Sequence, residues 1–222
     1  MPSIKREDSV WTVRNNKGNE FKVTDKGARA VSMRFRDKDF KNQFLLKESK
    51  LLVDGGENFA EDAWQVEELF EGVKFTAEHG GKSASVLYSI SNDNEISIKY
   101  EGSGVEDISA ELIFALPDVD FRACQKGADW EKISAEKNYP VTEPAEVMME
   151  IGMFGYDPGC PIDYLEAGLK NAANIFSAEK SIDIIVYATQ DKIHVRAVEG
   201  GFAIKTSGAA SGQTVYMLKN RK

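Results

Sequence analysis

Ala84-Ser85-Val86-Leu87-Tyr88-Ser89-Ile90, then Ser91-Asn92-Asp93-Asn94, then Glu95-Ile96-Ser97-Ile98-Lys99-Tyr100: the reading of this stretch decides the fold. Apolar and polar residues alternate on the second arm, the two-residue period of a strand with one buried face. Ile96, Ile98 and Tyr100 share one side, and Glu95, Ser97 and Lys99 share the other. The four small polar residues between the arms suit a tight reversal, so the whole predicts a β-hairpin.

The same pattern extends outward. Val10-Trp11-Thr12-Val13-Arg14 runs through Asn15-Asn16-Lys17-Gly18-Asn19, a turn rich in residues that tolerate positive φ, and returns as Glu20-Phe21-Lys22-Val23-Thr24. From Ala28 to Arg36 the alternation predicts Val31, Met33 and Phe35 on one face, with Ala30, Ser32, Arg34 and Arg36 on the other. Further strands are expected over 64–69, 73–78, 108–116, 146–151, 182–188, 192–198, 202–206 and 214–219. Asp163 as an N-cap, with Leu165 and Leu169 four apart, predicts one or two short helical turns over 163–173. The charged stretch 122–143, containing Pro140, reads as an excursion at the sheet ends. Many short strands joined by short turns predict an all-β chain, a large antiparallel β-sandwich forming one domain over residues 1–222.

Composition narrows the partners. A net charge of −8 and a pI near 5.0, with no basic stripe, exclude nucleic acid and disfavour anionic membrane surfaces. No apolar run is long enough to span a bilayer, and the first eight residues lack the apolar core of a signal peptide. A cytoplasmic location is expected, or export if a leader has been removed ahead of Met1. Cys124 and Cys160 lack metal-ligand spacing and read as buried thiols rather than a bridge. No cofactor is called for. Oligomeric state is not readable, although an open sheet edge offers a place for self-pairing.

Few residues carry chemistry. The glycine pairs at 55–56, 80–81 and 200–201 do not open a helix after a strand, so they read as turns and not phosphate loops. His79 ends a strand, and His194 alternates onto the face of Lys192 and Arg196; neither has the companions of a metal site. Glu111 is the lone charge in Ser109-Ala110-Glu111-Leu112-Ile113-Phe114-Ala115-Leu116. It is either an outward residue of a half-exposed strand or an acid in a cleft, its pKa raised by desolvation. Trp11, Trp64 and Trp130 are core packers by default; Trp64 and Trp130 are the candidates for stacking on a sugar ring.

The order of these pieces resembles the aldose 1-epimerase (galactose mutarotase) superfamily. Residues 15–32, with Gly27-Ala28 between strands, are similar to the family's opening. Gly55-Gly56 followed by Trp64 and by Gly72-Val73-Lys74-Phe75-Thr76, the hairpin through Asn92-Asp93-Asn94-Glu95, and Ser211-Gly212-Gln213-Thr214-Val215-Tyr216 match later blocks. The resemblance implies the mutarotase-like supersandwich and a pocket for a neutral mono- or oligosaccharide. It also implies departures. Asp54 stands where members carry a histidine before Gly-Gly, and Ala110-Glu111 where they carry Asn-His before Phe-x-Leu. No histidine follows Leu116 until His194, and Glu199 is the nearest match in order to the family's catalytic Glu. The family's reaction needs an acid at the ring oxygen and a base at the anomeric hydroxyl.

Three functions follow. The first is a sugar-binding protein with little or no ordinary epimerase activity. The second is an active epimerase or isomerase whose acid and base have moved to Glu111 with His194 or Glu199. The third is a non-catalytic interaction module. A tryptophan beside Glu111 in a hollow would favour the first two, and a flat, evenly charged sheet the third.

Overall fold

A computed structural model describes residues 2–55, 59, 64–124, 128–141 and 168–220. Among them nineteen strands form, all pairings are antiparallel, and no helix occurs. β1 (Ser3–Glu7), β2 (Val10–Arg14), β3 (Glu20–Thr24), β4 (Arg29–Arg36) and β5 (Asn42–Phe44) make a five-stranded meander in chain order. β6 (Leu46–Val53) leaves it for a second sheet. β7 (Gln65–Glu68), β8 (Gly72–His79), β9 (Lys82–Ile90) and β10 (Glu95–Ser103) follow, then β11 (Ile108–Phe114) and β12 (Asp120–Ala123). The rest are β13 (Glu131–Lys132), β14 (Lys137–Pro140), β15 (Lys170–Ser177), β16 (Ile182–Ala188), β17 (Lys192–Val198), β18 (Gly201–Ser207) and β19 (Ser211–Asn220). The second sheet runs β14-β17-β18-β11-β6, and the third β13-β12-β15-β16-β19-β10-β9-β8-β7.

The deciding hairpin forms as expected: Ile96 faces Ile90 and Tyr100 faces Val86, with Ile96, Ile98 and Tyr100 fully buried. One apolar cluster draws on all three sheets, from Trp11 and Phe35 through Phe75 and Phe114 to Leu218. A smaller cluster, Leu169, Ile185, Tyr187, Val215 and Met217, lines the opposite face of the nine-stranded sheet.

Three expectations change. In β4 the alternation slips: Ala30 is buried and Val31 is 41% exposed. The cause is a bulge, since Lys22 pairs with Ser32 and Val23 with Ala30, leaving Val31 as the extra residue. The excursion over 122–143 contributes the end of β12, then β13 and β14, to two sheet edges. The helical turns over 163–173 give way from Lys170 onward to β15, which bonds to β12 and β16; two leucines four apart cannot hold a turn against two ladders. Residues 163–167, the strand over 146–151 and Cys160 lie outside the described residues.

Candidate functional site

The five-stranded sheet β14-β17-β18-β11-β6 has one face on the core and one turned away from it. In β11, Ile108, Ala110, Leu112 and Phe114 point inward, so the two-residue period sends Ser109, Glu111 and Ile113 the other way. On that second face the register sets five polar side chains in one row. Lys50 pairs with Glu111, Glu111 with Lys205, Lys205 with His194, and His194 with Asn138. With strands about 4.8 Å apart, Glu111 and His194 stand about 10 Å apart along the row, with Lys205 between them.

Arg196 sits one step along β17, opposite Ala203 of β18. The alanine methyl leaves the guanidinium room to cross β18 to Glu111. There Nη2 and Nε donate to the same oxygen, Oε1, at 3.0 and 3.2 Å. The Glu111 side chain keeps only 12% of its exposure, and Arg196 36%. Glu111 is therefore neither in bulk water nor sealed in the core, and a guanidinium partner makes it a hydrogen-bond acceptor.

His194 has 17% side-chain exposure, and its Nε2 lies 2.8 Å from Glu136 Oε1 without hydrogen-bond alignment. Burial is the main force pushing this imidazole below its ordinary pKa, and the Lys205 ammonium acts in the same direction. Glu136 and Glu111 oppose them. The net push is toward the uncharged ring. The face thus offers a carboxylate acceptor, guanidinium and ammonium donors, and a neutral imidazole, a mixture that suits hydroxyl groups, which both donate and accept.

The other expected residues lie elsewhere. Asp54 is beyond the end of β6, where Oδ1 accepts the Glu106 and Asp107 N–H groups at 2.6 and 3.1 Å and Oδ2 meets Lys82 Nζ at 2.5 Å. Lys82, ahead of those two amides, holds its carboxyl at about 2. Asp54 is a loop clamp, about 13 Å along the strand from the Glu111 row. Glu199 is exposed in the β17–β18 turn, and its backbone carbonyl accepts Lys47 Nζ. Five residues beyond His194, it does not join Glu111 and His194.

Trp64 is 4% exposed, and its indole N–H donates to the Phe59 carbonyl at 2.9 Å. It is a core residue with no ring face open for stacking. Trp11 is also core, its N–H on Glu68 Oε1. Trp130 is 45% exposed beside β13, at the edge of the nine-stranded sheet and not on the Glu111 sheet. Cys124 is buried between Asn171 and Asn174, and burial above all pushes its thiol up to about 12. His79 is exposed at the end of β8, near the Phe59 ring. Among the described residues no group of three His, Cys, Asp or Glu could hold a metal ion, and no helix is long and apolar enough to cross a membrane.

Sequence reading missed Lys205, and it placed Arg196 on the His194 face without assigning it a role. A signal existed for Lys205, the lone charge within Phe202-Ala203-Ile204-Lys205-Thr206, the same signature that marks Glu111. A hairpin reversing at Glu199-Gly200 would have set it opposite His194.

No protein-family model matches the chain, and no curated protein matches its sequence. Solved structures do match. A GalM/aldose epimerase homologue from C. elegans superimposes with a TM-score of 0.71 at 11% identity, over 100% of both chains. A putative aldose 1-epimerase from Escherichia coli K12 gives 0.61 at 10% identity over 99% of each chain. A putative mutarotase from Salmonella typhimurium gives 0.56 at 11% identity, over 99% of this chain and 94% of that one. Identities this low speak for architecture and not for activity. The chain has the galactose mutarotase-like sandwich fold.

Proposed function

We propose that the protein binds a neutral mono- or oligosaccharide on the outer face of the five-stranded sheet and has little or no ordinary aldose 1-epimerase activity. The observation that carries the reading is the half-buried Glu111–Arg196 pair, set in one row with Lys205 and His194. A paired carboxylate and guanidinium can hold adjacent sugar hydroxyls by charge-assisted hydrogen bonds. Epimerisation asks for more: a proton donor and a proton acceptor on the same sugar ring. Glu111 suits the acceptor role, but His194 is two strands away with Lys205 between them. No imidazole occupies the place of Asp54 or Glu111, where the resembled family carries histidine.

Calorimetric titration with glucose, galactose and maltose tests binding. Glu111→Gln should weaken it at least ~10-fold, the order of effect of losing one charged hydrogen bond. An isotherm identical to that of the unmodified protein would remove Glu111 from the site. Polarimetry of freshly dissolved α-glucose or α-galactose tests the second half, and the expected rate is the spontaneous one. Acceleration that Glu111→Gln and His194→Gln each abolish would favour an active epimerase with relocated acid and base.

A further inference from the structure

The fold gathers positive charge on the outer face of the first sheet, and the sugar-binding reading uses none of it. Residues 2–44 carry 11 Lys and Arg against 6 Asp and Glu, whereas the whole chain has 28 against 36. Strand alternation spaces these basic residues out, so the sequence shows no stripe; the register then lines them up. Arg14 pairs with Glu20, and Glu20 with Arg34. Arg36 lies two residues beyond Arg34, on the same face. In the next row Thr12 pairs with Lys22, and Lys22 with Ser32.

Glu20 is the single carboxylate among these guanidiniums. Its Oε1 accepts Arg34 Nη2 and lies 3.7 Å from Arg14 Nε. Arg34 Nη2 also donates to the Gly18 carbonyl at 3.2 Å. Gly18 lets the third guanidinium in: a Cβ there would stand 3.3 Å from Arg36 Cζ and 3.4 Å from Arg14 Nη2. The other acids nearby have their own cations. Glu7 is 2.6 Å from Lys5, Asp93 is 3.8 Å from Lys17, and Lys38 and Lys41 balance Asp37 and Asp39 in the β4–β5 turn. Among the described residues neither Lys22 nor Arg36 has a carboxylate within ion-pair distance. Positive charge is therefore in surplus in a partly buried setting, where Glu20 keeps 16% of its side-chain exposure and Arg34 19%.

Beside this cluster a groove of about 260 Å³ opens over β1, β2 and β3. Ser3, Thr12, Arg14 and Lys22 line it as donors, together with the Lys5–Glu7 pair and Glu20. Arg14 and Lys22 stand diagonally across the β2–β3 ladder, about 7–8 Å apart at the backbone, so both long side chains can reach one group between them. We infer that this groove is a binding site for a phosphate or sulfate group, held between Arg14 and Lys22, with the Ser3 and Thr12 hydroxyls as further donors. Arg34 makes the close contact with Glu20, which leaves the Arg14 guanidinium, 47% exposed, to meet two oxygens of a tetrahedral oxyanion. A doubly charged oxyanion answers the surplus that a neutral sugar would leave in place. The same group can arrive on a small molecule or on a lipid headgroup.

Calorimetric titration of the whole chain with inorganic phosphate and with sulfate, at constant ionic strength set by chloride, should show saturable binding. Arg14→Gln and Lys22→Gln should each weaken it at least ~10-fold, the effect of losing one charged hydrogen bond. Glu20→Gln should tighten it about 3-fold, since the competing carboxylate is gone. Lys41→Gln removes a cation of the same sheet outside the groove and should leave binding unchanged. Flotation with phosphatidylcholine vesicles containing phosphatidic acid separates the sources: vesicle binding that Lys22→Gln abolishes, with none to the free ions, assigns the site to a headgroup. The inference is overturned if neither the free ions nor the vesicles bind, if Lys41→Gln weakens binding as much as Lys22→Gln, or if Glu20→Gln weakens it.

Discussion

His194 is the residue whose protonation the fold controls most openly. Burial lowers its pKa first and Lys205 next; Glu136 and Glu111 act against them, and Arg196 adds a smaller lowering. In the unfolded chain the ring keeps its ordinary value of about 6.5. Well above that pH both states are neutral, and ionisation of the imidazole costs the fold nothing. As pH falls below it, the unfolded chain takes up the proton first, so stability drops until the pH has passed the folded value. Urea unfolding between pH 8 and pH 5 should therefore show a steeper loss for the unmodified protein than for His194→Gln. Parallel curves would mean that the ring is not desolvated on this sheet. Glu111 was legible in the sequence because a lone charge in an apolar strand is conspicuous, and Lys205 carried the same mark. The burial of Trp64 was not, because it depends on the Phe59 carbonyl and on neighbours from other strands.

Between residue and molecule stand the turns, and one of them acts as a latch. The side-chain oxygen of Asn94 accepts from Asn15 Nδ2 at 3.1 Å and from Asn19 Nδ2 at 2.6 Å, while Asn15 also donates to the Ser91 carbonyl. The first five-stranded sheet is thereby fastened to the nine-stranded one through buried amides. Asn94 also has φ +67°, which asparagine adopts more readily than alanine. Asn94→Gly keeps the backbone and loses the acceptor, at a cost of about 1–3 kcal/mol from amide donors left unpaired. Asn94→Ala loses the acceptor and adds about 1 kcal/mol of backbone strain. Urea midpoints should fall in the order unmodified, glycine, alanine; a glycine variant as stable as the parent would show the latch to be idle. Both turns were readable as turns from their Asn and Gly content. Their grip on each other was not, because it joins residues 75 apart in the chain and local pattern has no view of that distance. The same blindness explains β15: a short helical signature near Leu169 says nothing of the two strands waiting on either side.

At the scale of the molecule, alternation was enough to foretell layered antiparallel sheets but not how strands divide among them. β6 follows β5 after one residue yet belongs to another sheet, and Leu45 between them bonds back to Met33 and forward to Ala115. The three sheets consequently share their packing. Trp11 of the first meets Phe75 of the third edge-on at 5.8 Å, Phe21 meets Tyr88 at 5.7 Å, and Phe114 of the second meets Tyr216 of the third at 5.8 Å. Ser49 of β6 adds a buried hydrogen bond to the Ala30 carbonyl of β4. No sheet can leave without exposing apolar surface on the other two, at about 25 cal/mol for each Å². A chain of 222 residues is long enough for separate unfolding steps to be the ordinary outcome. The shared core argues for one step. Fluorescence of the buried Trp11 and Trp64, read in a Trp130→Phe background, reports the packing between sheets, and far-UV circular dichroism reports the strands. The two urea transitions should coincide in midpoint and slope. If the tryptophan signal were lost at lower urea than the strand signal, the first sheet would be coming away on its own, and the chain would have to be treated as more than one folding unit.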